Sequence, residues 1–255
     1  MYTDRNIYVN DEENQNTPGH NHNLSHNSQE KAFPQSGELS ETISASHVKS
    51  LFQPQNEELF EHPAKVLCSM ILSPQYELPR LFMGPLHCRY KWVYTHSVNV
   101  ALISLMMADR LGLDEEQQET LAIGALLHDV GKLRIPRAIL EKESSLSNEE
   151  MALMKKHSEF GLKLVAACGL PQEITDVIIQ HHERLDGSGY PYGLQAGQIS
   201  RLAEITMIAD VIDAITSHRP YRPAWSISEA LSLIKQDGDK FNREYVALIE
   251  NMHRE

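Results

Sequence analysis

Five histidines and two aspartates interrupt apolar stretches of this sequence, where a helix should be burying hydrocarbon. His128 and Asp129 directly follow Leu126 and Leu127, and His96 precedes Val98 and Val100. His157 comes four residues after Leu153, His181 and His182 follow Ile178 and Ile179, and Asp210 sits inside ITMIADVIDAIT. An ionised carboxylate in such a place is costly unless a cation or strong donors meet it. A lone His–Asp pair is as readily a hydrogen-bonded core couple as a functional one. Here the pattern recurs over separate helical stretches, and mutual hydrogen bonding is a poor way to satisfy so many groups at once. A buried metal cluster satisfies them together.

Imidazole and carboxylate without thiolate suit Fe, Mn, Co or Zn rather than Ca or a thiolate zinc site. The set exceeds what one ion normally takes. Two divalent transition metal ions bridged by Asp129 are the economical arrangement, because a carboxylate has two oxygens and paired metals sit roughly 3.5 to 4 Å apart. Such a pair can acidify a bridging water and clamp an anionic oxygen. Lys132, one turn from His128, can point a cation into the same cleft. Arg219 and Arg222 can make bidentate contacts to phosphate or stack on a base. In the loop DGSGYP, residues 186–191, Gly187 and Gly189 allow positive φ and close approach, and Pro191 stiffens the exit. That loop reads as a plain helix stop or, since it follows HHE directly, as a functional loop presenting Tyr190.

The elements that must position these groups are helical. Val100, Ile103, Leu105, Met106 and Leu111 outline one helix that Gly112 can end. Asp114 with Gln117 reads as a capping box opening a helix to His128, and Ser147 with Glu150 as another opening a helix through Met154, His157 and Leu164. Pro171 suits a first helical residue ahead of Ile174, Val177 and His181. A further helix spans 205–216, and Ser226 with Glu229 caps the last long one. Loop chemistry is confined to 131–145, 186–197 and 217–223, and nothing alternates long enough for a sheet. The fold is expected to be all-α, with the functional domain over 91–255. Before it, Pro54, Pro63, Pro74, Pro79 and Pro85 interrupt an apolar stretch over 47–90, which predicts a preface of short helices. Residues 1–46 are rich in Asn, Gln, Ser and His and predict a disordered polar tail; His20, His22 and His26 could take up stray metal, but a solvated tail is the favoured reading.

A formal charge of −12 argues against a nucleic-acid polymer as partner. A small phosphate ligand needs only a few local cations. Cys68, Cys88 and Cys168 are odd in number and lack CxxC spacing, against a disulfide framework or zinc knuckle and in keeping with a reducing compartment. No apolar run approaches the roughly 18 to 20 residues that span a bilayer, and no leader or lipidation motif is visible at Met1, so the expected location is cytoplasmic.

His96, HDVGK at 128–132, His157, HHERLDGSGYP at 181–191 and ADVIDAITSHRPYR at 209–222 together resemble the HD-GYP subgroup of the HD-domain phosphohydrolases, from about residue 94 to the C-terminus. The resemblance implies an HD-domain helical bundle with its C-terminal extension, a di- or trinuclear site of Fe or Mn, and hydrolysis of cyclic di-GMP to pGpG and onward to GMP. It implies His96, His128, Asp129, His157, His181, His182 and Asp210 as metal ligands, with Asp129 and Lys132 catalytic. Lys132, Tyr190, Arg219 and Arg222 fall where the family meets substrate phosphates or shapes the pocket. Family members with a third metal carry a Glu about one turn before the first ligand histidine; Trp92 stands there, so two metals are expected. Ser158 and Glu204 replace a usual Pro and Arg without removing a ligand. Glu183 and Asp186 read as loop caps or outer partners of ligands, and Asp213, one turn from Asp210, reads as an alternative ligand or, by preference, as a hydrogen-bond partner of the loop 217–222. A regulatory protein partner or a homodimer completes the expectation. Rival readings are a cyclic dinucleotide receptor with little turnover, an HD-type hydrolase of another nucleotide, and a purely structural bundle with a hydrogen-bonded polar core.

Overall fold

A computed structural model describes residues 46–52, 57–72, 77–218 and 223–255. The polar tail expected over 1–46 lies outside the described residues except for Ser46, as do Pro54 and Pro74. The described residues fold into twelve α-helices: α1 (Ser46–Leu51), α2 (Glu57–Leu72), α3 (Glu77–Arg89), α4 (Lys91–Arg110), α5 (Glu115–Leu127), α6 (Arg137–Leu140), α7 (Asn148–Lys155), α8 (His157–Val165), α9 (Gln172–Gln180), α10 (Arg201–Thr216), α11 (Ile227–Gln236) and α12 (Arg243–Arg254). Short 3₁₀ turns follow α5, α8 and α11 at Val130–Arg134, Ala166–Cys168 and Gly238–Lys240. Among the described residues the only β feature is one bridge between Asp186 and Gln195. The fold is all-α.

α4 is the axis of the bundle. Its residues are buried almost continuously from Val93 to Ala108, and it packs against α1, α2, α3, α5, α10 and α12. A helix enclosed on all sides has no solvent face to spare, so its few polar residues need partners inside. The boundaries follow local chemistry. Asp114, Ser147 and Ser226 each form a reciprocal capping box with the side chain three residues on. Beyond α4, Gly112 turns the chain at φ +65°.

Three expectations need correction. The single helix expected to carry both Met154 and Leu164 breaks at Lys156 into α7 and α8. Pro63 and Pro85 do not end helices but lie inside α2 and α3, where burial of Leu59, Leu67, Met70, Met83 and Leu86 against the bundle outweighs the lost backbone bonds. The stretch expected as loop after Gly131 contains a 3₁₀ turn and α6. Smaller shifts are that α10 begins at Arg201, a turn before Ile205, and that Pro171 directly precedes α9.

Two glycines set how closely the elements of the site approach. A Cβ on Gly131 would lie 1.9 Å from the His157 carbonyl oxygen and 2.4 Å from the Gly161 nitrogen; one on Gly161 would lie 2.9 Å from Ile178 Cγ2. The 3₁₀ turn thus lies directly on α8, and α8 on α9. Beneath that crossing Leu127, Val130, Val165, Ile174 and Ile178 form a small apolar cluster. Gly131→Ala is expected to cost about 3 kcal/mol of stability through overpacking, read as a lower midpoint in urea unfolding; an unchanged midpoint would show that this contact does not fix the crossing.

Candidate metal centre

Three of the histidines sit just past the last turn of a helix. His128 caps α5, His181 caps α9, and His157 begins α8 directly after α7. In each the ring Nδ1 meets the carbonyl three residues back: Ala125 at 2.6 Å, Ile178 at 2.9 Å and Met154 at 2.8 Å. A carbonyl can only accept, so each Nδ1 carries a proton and each Nε2 is turned the other way, where in the neutral ring it holds a lone pair. Last-turn carbonyls have incomplete helical bonding, which leaves them available for this. The break at Lys156 is what gives His157 such a carbonyl.

The Nε2 atoms converge. His157 Nε2 lies 3.2 Å from His181 Nε2 and 3.3 Å from Asp129 Oδ1, and His128 Nε2 lies 3.3 Å from Asp129 Oδ2. From α4, His96 Nε2 lies 3.0 Å from Asp210 Oδ1 and 3.6 Å from Asp129 Oδ2. His182 Nδ1 is 3.8 Å from Asp210 Oδ2. All seven sequence-predicted ligands are buried and meet here. Six of them form two trios of mutually close donor atoms, His96, His128 and Asp129 on one side and His157, His181 and His182 on the other, with Asp210 beside His96. Asp129 faces His96 and His128 with Oδ2 and His157 of the other trio with Oδ1.

The residues fit a metal. His96 Nε2, His128 Nε2, Asp129 Oδ1 and His182 Nδ1 are buried without a hydrogen-bond partner, and four such atoms around one centre are expensive to keep in a dry interior. Atoms with lone pairs aimed at a shared space, and neutral nitrogen and carboxylate oxygen as donors, are what a transition ion takes up. The protonation states agree. Burial, then the neighbouring imidazoles, holds His181 and His182 well below the ordinary histidine range; burial also lowers His157. Burial alone would raise Asp129, but Lys132, His128 and His157 hold it well below the usual carboxylate range. His96 differs: burial opposes its charge, yet Asp210 and Asp213 push it up to about 10.

Around the ligands stands a layer of orienting groups. Asp213 Oδ2 accepts from His96 Nδ1 at 2.6 Å, while its Oδ1 accepts from Asn99 Nδ2 at 2.8 Å and Ser217 Oγ at 3.0 Å. Asp213 therefore does for His96 what backbone carbonyls do for the others. Its contact with the loop at Ser217 matches the sequence reading; its bond to His96 and the part of Asn99 do not appear there, because both depend on α4 packing against α10. The Glu183 carboxylate accepts from the backbone amides of Tyr192 (2.8 Å) and Leu194 (3.0 Å), and Asp186 from Ser188, so both hold the glycine-rich loop. Gly189 lets that loop cross itself, since a Cβ there would lie 2.3 Å from Glu183 Cα.

Tyr190 stacks on His182 with ring centroids 4.8 Å apart, and Lys155 Nζ lies 5.2 Å from the Tyr190 ring centre. Lys132 is buried, donates to Asp129 Oδ2 at 2.7 Å and lies 5.4 Å from the centre of the Trp92 ring. Trp92 thus offers Lys132 an aromatic face. Glu204 accepts from Asn242 at 2.9 Å. Lys155 and the buried Arg184, whose guanidinium covers Phe241 at 4.9 Å, escaped the sequence reading, although Arg184 adjoins HHE. Arg219 and Arg222 lie outside the described residues.

The HD domain family model matches residues 80–244. Over 194 residues the chain is 32% identical to a cyclic di-GMP phosphodiesterase of Pseudomonas aeruginosa, covering 76% of this chain and 44% of that protein. It is 41% identical over 140 residues to a cyclic di-GMP phosphodiesterase response regulator of Xanthomonas campestris, covering 54% of this chain and 37% of that one. It is 36% identical over 160 residues to 3'3'-cGAMP-specific phosphodiesterase 1 of Vibrio cholerae, covering 62% and 36%. The chain spans less than half the length of each. Among solved structures, an HDG"Y"P protein of Bdellovibrio bacteriovorus aligns with a TM-score of 0.57 at 19% identity, covering 86% of this chain and 79% of that one. A cyclic GMP-AMP-specific phosphodiesterase of V. cholerae aligns with a TM-score of 0.53 at 19% identity, covering 69% and 48%. At those identities the likeness is one of fold.

The protonation states predict how the metal-free protein responds to pH. His157, His181 and His182 have depressed folded values, so the unfolded chain binds more protons as pH drops below the ordinary 6.5, and stability falls with it. His96, raised to about 10, contributes fully below 6.5 and loses that contribution as pH climbs toward 10. Chelator-treated protein is expected to show its highest urea midpoint near neutral pH, with losses toward pH 5 and toward pH 10. A midpoint that rises from pH 7 to pH 5 would contradict the neutral state of those three rings.

Proposed function

This chain belongs to the HD domain family, and from that premise we propose that it is a metal-dependent phosphodiesterase that hydrolyses cyclic di-GMP to pGpG. The observation that carries the reading is Asp129, one carboxylate whose Oδ2 faces His96 and His128 and whose Oδ1 faces His157 of the other trio. His96, His128 and Asp210 would hold one divalent ion and His157, His181 and His182 the other, with Asp129 between. Two such ions, Fe or Mn by ligand type, supply an acidified water and charge neutralisation for in-line attack on phosphorus.

The chain's own residues do the rest. Nδ1 bonds lock four of the five imidazoles in one tautomer. Lys132 is the buried cation at the centre, three residues from Asp129, and meets the non-bridging phosphate oxygens as a compact charge. Tyr190 stacks on His182, and the Lys155 ammonium beside it adds positive potential on that side of the centre. Arg219 and Arg222 carry the remaining substrate contacts in this reading. Among the described residues no helix is long and apolar enough to cross a membrane.

Relatives named for cyclic di-GMP and for 3'3'-cGAMP occur at comparable identity, so the mixed cyclic dinucleotide is the second reading for the substrate. Protein loaded with Mn or Fe is expected to convert cyclic di-GMP to pGpG, followed by chromatography, and faster than it converts 3'3'-cGAMP. Asp129→Ala and His157→Ala are each expected to lower turnover at least about 100-fold and to lower bound metal with it. Binding without product from a verified metal-loaded sample would make the chain a receptor instead, and faster turnover of 3'3'-cGAMP would reverse the substrate assignment.

A further inference from the structure

α1 lies outside the span that matches the family, yet it reaches the metal centre. His47 Nε2 lies 3.2 Å from Thr216 Oγ1 and 3.5 Å from Asp213 Oδ1, across 169 positions of sequence in the first case. A threonine hydroxyl has one proton, and Thr216 gives its proton to the Ile212 carbonyl at 2.7 Å. His47 Nε2 must then be the donor, and its N–H is directed at the end of α10 where Asp213 sits. Asp213 is fully buried and carries His96 on its other oxygen.

α1 is also held independently of His47. Val48, Leu51 and Phe52 are buried in the main core, and His253 Nδ1 of α12 meets the Leu51 carbonyl at 2.7 Å. The helix is thus fixed at one end by α12 and at the other turned toward the carboxylate that orients a ligand. Asn99 and Ser217 reach Oδ1 from α4 and from the loop after α10. His47 Nε2 donates to Thr216 Oγ1, three residues beyond Asp213 on the same helix, and lies 3.5 Å from the same oxygen, so it bears on the end of α10 that carries this carboxylate.

We propose that His47 is a positioning residue: it steadies Asp213, and through Asp213 the ring of His96, in the attitude that metal binding needs. The inference rests on the reading of His96 as a metal ligand. It makes the segment before the family's matched span a working part of the centre.

The test is Mn²⁺ affinity of the full chain, measured by competition with a chelating dye, with thermal unfolding recorded on the same samples. His47→Leu keeps bulk but cannot donate, His47→Gln restores an N–H near the Nε2 position, and His47→Glu sets a carboxylate against Asp213. Loss of an outer hydrogen bond of this kind costs on the order of tenfold in metal affinity, so His47→Leu is expected to bind about tenfold more weakly, His47→Glu more weakly still, and His47→Gln within about twofold of the parent. Should His47→Leu fail to fold, the Gln and Glu variants read the same contrast. Equal affinity in all three variants and the parent would overturn the proposal, as would a Gln variant no tighter than the Leu and Glu ones, which would mark His47 as packing alone. His96→Ala is the separate control: a loss of at least about 100-fold is expected there, and undiminished affinity in it would overturn the ligand reading itself.

Discussion

The centre depends on a hydrogen bond from a ring nitrogen to the carbonyl three residues back. At His128, His157 and His181 this bond fixes the proton on Nδ1 and turns Nε2 toward a common point. It does so with helix ends alone, since the last carbonyls of a helix lack partners of their own. The helices can then be packed as any apolar bundle is, provided that their C-terminal ends meet. Gly131 and Gly161 allow that meeting, because side chains at these positions would hold the turn after α5 away from α8 and α8 away from α9.

Interior position makes the centre costly as well as selective. Without a cation, buried lone pairs face one another and a carboxylate lies among them, relieved in part by Lys132. Burial holds three of the imidazoles neutral, which is the form that binds a transition ion and not a proton. Folding energy from the enclosed α4 and the apolar cluster beneath the site offsets this penalty, so the same packing that stabilises the bundle leaves the ligand atoms unsatisfied.

Much of this was legible in the sequence because polar residues inside apolar helical runs are anomalies wherever they fall. The convergence of seven polar side chains in the interior, the capping boxes at Asp114, Ser147 and Ser226, and the loop geometry at Gly187 and Gly189 follow from local pattern. What escaped depends on packing between distant elements. Pro63 and Pro85 remain in helices because of what those helices bury, and no local rule reports that. The break at Lys156 leaves no proline or glycine mark, since His157 itself satisfies the carbonyl that the break exposes. Asp213 and Asp210 are one turn apart and look alike in sequence; only the approach of α4 makes one an orienter of His96 and leaves the other at the centre.

The long separation between His47 and Thr216 has a consequence for the order of events during synthesis. α1 leaves the ribosome ahead of the helix that carries Asp210, Asp213 and Thr216, which follows more than 150 residues later. At roughly 5 to 20 residues per second, that delay is on the order of ten seconds. During it α1 has no carboxylate to meet, His96 no orienting partner, and the first trio no Asp210. The seven buried polar side chains therefore cannot all meet until α10 has docked on α4, and non-local closure of this kind is the slow part of assembling a helical fold. Assembly of this polar centre and completion of the bundle are thereby one event.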